Sequence, residues 1–149
     1  MRASLLALVA FLVPHTASAE AWRLAAYSNS APQLAYFVDI DSIKRDGTKV
    51  SFRQMTIYQE VTATRDFTRS MLWRDADCSD YSSSMRNSDF YVGSKFLGHE
   101  DGPGDIMIAK PQSVLLTMLN TVCGRGDYFS PVVTGDVEAW VRGKFANGF

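Results

Sequence analysis

The sequence predicts a single α+β domain, an antiparallel meander of about five or six strands packed by one or two C-terminal helices and closed by one disulfide. Three observations predict it. Short runs rich in β-branched and aromatic residues follow one another through turn signals, with no helical stretch between them. Helical periodicity enters only late in the chain. The two cysteines, Cys78 and Cys123, form an even count in a chain that carries an export signal.

Residues 22–27 are short and apolar and read as a first strand. Residues 28–33 are a polar turn containing Pro32, and residues 34–40 read as a second strand. That strand runs into Asp39-Ile40-Asp41-Ser42, where Asp and Ser favour side-chain bonds to the backbone over continued pairing. Arg45-Asp46-Gly47 signals a hairpin, because Asp-Gly suits the positive φ of a type I′ turn.

Residues 49–60 read as a third strand. Val50 and Phe52 alternate properly, and then Met55 and Ile57 take the other parity. This phase shift predicts a bulge near Arg53 or Gln54, or a strand covered on both faces. Residues 67–78, with Met71, Leu72 and Trp73, form a fourth strand, and residues 82–93, ending in Phe90-Tyr91-Val92, a fifth. Residues 99–105 hold two Gly and one Pro and read as a polar surface loop.

Lys110-Pro111 opens a helix, with Pro111 in the first turn and Gly124 as the C-cap. Val114, Leu115, Met118, Leu119 and Val122 fall on one face of it. A second, shorter helix is expected over residues 136–145, with Val137, Trp140, Val141 and Phe145 on one side.

The first nineteen residues have the layout of a secretory signal peptide: Arg2, an apolar run from Leu5 to Val13, then Pro14 and Ala17-Ser18-Ala19. Cleavage after Ala19 is favoured, with Ala21 as the alternative. Residues 1–19 are thus expected to be removed and residues 20–149 to form one exported domain, periplasmic or secreted. The apolar run is shorter than the roughly 20 residues of a membrane-spanning helix. No cysteine lies near the cleavage site, so no lipid anchor is expected.

Without Arg2, 14 basic residues face 16 acidic ones. This balance offers no clustered Lys and Arg for nucleic acid and no polybasic patch for a membrane surface. The Cys78–Cys123 bridge would close a loop worth on the order of 4 kcal/mol. The alternative is two separate buried thiols.

His99 is the one histidine beyond the signal segment, so a His-rich zinc site is excluded, and a Cys-based one would break the bridge. His99 could serve a catalytic triad, but no Gly-x-Ser-x-Gly elbow accompanies it, and it reads as a solvated loop histidine. Asp75, Asp77 and Asp80 cluster around Cys78 without the glycine and distal glutamate of a calcium loop. They read as turn residues, as do Glu100, Asp101 and Asp105. Arg125-Gly126-Asp127 spells an integrin-type tripeptide, but the segment also reads as a helix stop. The aromatic set (Trp22, Trp73, Trp140, Tyr36, Phe37, Phe52, Phe90, Tyr91) reads first as core, with a ligand groove as the alternative. No catalytic residue, cofactor or metal site is assigned, and the partner-binding residues stay unassigned.

Trp22, the strand ending Tyr36-Phe37-Val38-Asp39, the run Asp41-Ser42-Ile43-Lys44-Arg45-Asp46-Gly47, Cys78, and Pro111-Gln112-Ser113 ahead of the helix carrying Cys123 together resemble the surface-adhesin protein E family of small exported bacterial proteins. The resemblance spans residues 22–123. It implies a curved antiparallel sheet with a helix tied to it by the Cys78–Cys123 bridge. It also implies an adhesin that binds host matrix proteins and is lipid-anchored, and here the sequence departs, having no lipobox cysteine. The expected function is an exported, non-catalytic binding protein whose partner is a protein or an envelope component. The alternatives are an inhibitor of an enzyme such as lysozyme, acting through residues 99–105, and a small hydrolase using His99.

Overall fold

The computed structural model describes residues 20–125 and 131–149. The expected signal segment, and Gly126 and Asp127 of the tripeptide, lie outside the described residues. Eight strands make one sheet: β1 (Ala21–Ser28), β2 (Leu34–Asp46), β3 (Lys49–Tyr58), β4 (Arg69–Asp77), β5 (Ser82–Val92), β6 (Lys95–Asp101), β7 (Met107–Ile108) and β8 (Val132–Thr134). The order across the sheet is β6-β5-β4-β3-β2-β1-β8, with β7 also on β5, and every pairing is antiparallel. Helix α1 (Val114–Cys123) precedes β8, and α2 (Val137–Asn147) follows it. The α+β meander with C-terminal helices is therefore the observed fold, with more strands than expected.

The two helices cover opposite faces. Trp22, Leu24, Phe37, Met55 and Ile57 share a core with Val137 and Val141 of α2. Val38, Val50, Phe52 and Ala76 share another with Met118, Leu119 and Val122 of α1. Phe37 and Val38 are neighbours in β2, and alternate strand residues point to opposite faces. This accounts for the phase shift in β3. That strand pairs with β4 without interruption from Lys49 to Ile57 and is buried on both faces from Gln54 to Ile57. The bulge alternative near Arg53 does not hold.

The irregularity lies across the way in β2, between Asp39 and Lys44. The local side-chain bonds expected there do form: Asp39 Oδ1 accepts from the Asp41 amide at 3.1 Å, and the Ser42 hydroxyl donates to the Asp39 carbonyl at 2.7 Å. They build a bulge and do not end the strand, because Ser42 Oγ also takes the Arg53 amide at 2.8 Å and carries the ladder across the gap. The hairpin that follows places its positive φ on Gly47 alone, with Thr48 as second loop residue. Glycine at the first central position is not the type I′ pattern expected.

Two further expectations are corrected. Pro111 lies in a turn before α1, and the N-cap is Ser113, whose hydroxyl accepts from the Leu116 amide at 3.1 Å. Gly124 caps the other end at φ 70, as its lack of a Cβ allows. Residues 99–101 are strand, since β6 pairs His99 with Asp89 and Asp101 with Asn87. As an edge strand with exposed side chains, β6 needs no alternation to form.

The disulfide is present. Cys78, just past β4, meets Cys123 in the last turn of α1 with Cα atoms 5.7 Å apart. The bridge fastens α1 to the sheet at the end opposite its Ser113 cap.

Candidate functional site

Helix α2 covers β1, β2 and part of β3, and leaves the same sheet face open beyond Met55. Cross-strand register fixes what stands there: Arg53 pairs with Trp73, Met55 with Met71, and Arg69 with Tyr91, while Met71 pairs with Asp89. A groove of about 330 Å³ runs between these side chains and the start of α2, lined also by Glu20, Asp136 and Glu138. A second recess of about 220 Å³ shares Arg53, Met71 and Tyr91 and continues it to Trp73 and Asp89.

Ion pairs and ring contacts hold the lining in place. The Arg53 guanidinium lies 5.2 Å from the Trp22 ring centre and 5.9 Å from that of Trp73. Arg53 Nη2 donates to Glu20 Oε1 at 2.8 Å, and Nε stands 3.6 Å from Asp39 Oδ2. Arg69 sits 4.4 Å over the Tyr91 ring and donates to Glu138 at 3.2 Å. Glu138 also accepts from Arg142, one turn along α2, at 2.9 Å. Burial pushes the Asp39 carboxyl up from its ordinary value, against the pull of Arg53.

At the outer rim, His99 bridges two strands. Its Nδ1 is 2.6 Å from Asp89 Oδ1, and its Nε2 is 3.1 Å from Asp101 Oδ1. Hydrogen bonds to Asp89 and then Asp101 raise its pKa above the ordinary histidine value. With both ring nitrogens facing carboxylates, His99 has no free nitrogen to act as base toward a hydroxyl.

The arrangement can bind: half-buried aromatic rings form a floor, and oriented charged groups form its walls. It brings no nucleophile–base pair together. Among the described residues no group of three His, Cys, Asp or Glu could hold a metal ion.

The other sequence candidates are placed elsewhere. Asp75 pairs with Arg86, Asp77 with Lys49 at 2.7 Å, and Asp80 accepts from the Ser82 amide at 2.9 Å, so each serves its own hairpin. Hydrogen bonds from Lys49 and Ser79 hold the Asp77 carboxyl well below the carboxylate range. The segment after His99 lies flat along β5, where Gly102 N–H donates to the Arg86 carbonyl at 2.6 Å and Gly104 N–H to the Met85 carbonyl at 3.0 Å. Arg125 stacks on Tyr81.

Of the aromatic set, Trp22, Phe37 and Phe52 are core, and Trp140 packs edge-on against Phe37. Trp73 and Tyr91 line the groove. Sequence reasoning missed Arg53, Arg69, Asp89 and Glu138. The signal available was parity: Arg69, Met71 and Trp73 alternate on one face of β4, so two long polar or aromatic side chains flank a methionine on a face that β-branched residues do not fill.

The model of the surface-adhesin protein E family matches residues 22–124. No curated protein matches the chain. Among solved structures, crystal form II of Haemophilus influenzae protein E is similar at 16% identity and a TM-score of 0.48, covering 60% of this chain and 80% of that one. Protein E from non-typeable Haemophilus influenzae is similar at 13% identity and a TM-score of 0.45, covering 76% and 83%.

Proposed function

The chain belongs to the surface-adhesin protein E family, and on that premise we propose that it is an exported, non-catalytic binding protein that seats a protein or envelope component on the open face of its sheet. The observation that carries this reading is the groove beside α2. There, Trp73 and Tyr91 stay half-buried on a face whose other half is sealed by a helix. Large aromatic side chains flanked by arginine are the residue types that anchor protein partners. The side chains are already held by ion pairs, so little ordering is left to oppose association.

The family's adhesive role is non-enzymatic, and the proposal places this chain with it. Export through cleavage after Ala19, to the periplasm or the exterior, is part of the same reading. No helix among the described residues is long and apolar enough to cross a membrane.

The test is a pull-down with the oxidised domain beginning at Glu20, against envelope extract and against matrix proteins, run beside Trp73→Ala. Capture of a specific partner by the parent domain, reduced about tenfold or more by Trp73→Ala, supports the proposal. A hot-spot aromatic contributes about 2 kcal/mol or more, and about 1.4 kcal/mol already makes a tenfold change. Equal capture by both proteins removes the groove from the reading.

A further inference from the structure

The two recesses beside α2 carry more negative charge than their own cations balance. Glu20, Asp89, Asp136 and Glu138 line them, against Arg53 and Arg69. Both arginines are engaged. Arg53 meets Glu20 and the buried Asp39, and Arg69 meets Glu138, which Arg142 also reaches. Asp136 gives one oxygen to the Ala139 amide at 2.9 Å, as the N-cap of α2, and forms no ion pair among the described residues. Asp89 meets His99 through Oδ1, and its Oδ2 has no hydrogen-bond partner among the described residues. Neither arginine is left over for an anionic partner, and the surplus charge lies at Asp89 and Asp136.

Asp89 stands across the strand gap from Met71 and shares the recess of about 220 Å³ with Trp73 and Tyr91. That recess has room for one long side chain. An aliphatic stem lies there on the Met71 thioether, between the two aromatic residues, and carries a terminal cation to the carboxylate. The one open oxygen decides which cation. A guanidinium pairs best with both oxygens of a carboxylate, and His99 holds one of those of Asp89, whereas an ammonium needs only one. On the binding role proposed above, on which this rests, we infer that the partner enters the groove with a lysine, its ammonium on Asp89 Oδ2. The partner surface is therefore basic, and the charge match sets partner choice and encounter rate.

The experiment is an NMR titration of the isotope-labelled, oxidised domain beginning at Glu20, at low ionic strength. The probe is the end-blocked peptide Gly-Leu-Lys-Leu-Gly, run beside analogues with norleucine or glutamate in place of lysine. Saturable shifts of the Trp73 indole N–H and of the Met71 and Asp89 amides are expected with the lysine peptide. Affinity is expected to fall about fivefold or more for either analogue. These three titrations use the parent domain and so do not depend on a variant folding. Asp89→Asn, close to the parent in shape, is expected to weaken the lysine peptide by a similar factor and to leave the norleucine peptide unchanged. No groove shift with the lysine peptide, equal affinity for all three peptides, or an unweakened lysine peptide on Asp89→Asn overturns the inference. The two readings fail separately. A domain that captures its partner through Trp73 but does not prefer the lysine peptide keeps the groove and loses the lysine. A domain that prefers the lysine peptide while its capture ignores Trp73→Ala keeps the lysine site and loses the groove as the seat of that partner.

Discussion

His99 shows how one side chain can look catalytic in a sequence and structural in a fold. It stands between Asp89 and Asp101 and is largely solvated. Its pKa is expected above the ordinary value of about 6.5. A raised folded-state pKa means its contribution to stability is complete below the unfolded value and is lost as pH rises through the folded one. Proton NMR titration should give a midpoint above that of free histidine, lowered by Asp89→Asn, and an unshifted midpoint in the parent would contradict the bridge. Gly102 makes a second prediction at this scale. A Cβ there would stand 2.5 Å from the carbonyl oxygens of Met85 and Arg86, which are backbone and cannot step aside. Gly102→Ala should cost about 1–3 kcal/mol by denaturant melting. Residue types were legible in the sequence, but their company was not. The pairing of His99 with Asp89 depends on a strand register, and Arg74 gives no sign in the sequence that its guanidinium is buried.

At the scale of elements, the local code explains most of the structure. Helix α1 follows from Ser113, the spacing of Met118, Leu119 and Val122, and Gly124, and α2 follows from Asp136 and the pair Val137 and Val141. Ser113→Ala should cost about 1 kcal/mol, because the Leu116 amide loses its acceptor. Leu119→Ala, at a fully buried position, should cost about 2–5 kcal/mol. Equal losses in the two variants, measured by urea unfolding, would contradict this placement of α1. The elements that escaped the sequence reading lack the usual signals for physical reasons. β6 is an edge with no inward face to mark by alternation, and β8 is three residues long and exists only because it pairs with β1 far away in sequence. The bulge in β2 was visible as turn chemistry at Asp39 and Ser42, but a strand's end and a strand's bulge use the same side-chain bonds.

Across the whole molecule, the disulfide and the two helices set what is covered and what is free. Cys123→Ser should lower stability by about 2–5 kcal/mol, and reductant should lower the parent Tm by on the order of 10 °C. A melting temperature indifferent to reductant would show that the bridge adds nothing to α1 docking. That a helix packs on the sheet was legible from its apolar face. Which face each helix takes was not, since the parity change in β3 admits either arrangement until β2 and β3 are aligned. The open half of the α2 face is what remains, and there we propose that a partner sits. The most direct test is hydrogen exchange on the oxidised domain with and without the partner it captures. New protection is expected in the residues around Arg53, Trp73 and Tyr91, with α1 unchanged. Protection confined to α1 or to the outer edge of β6, with the groove unaltered, would contradict the account.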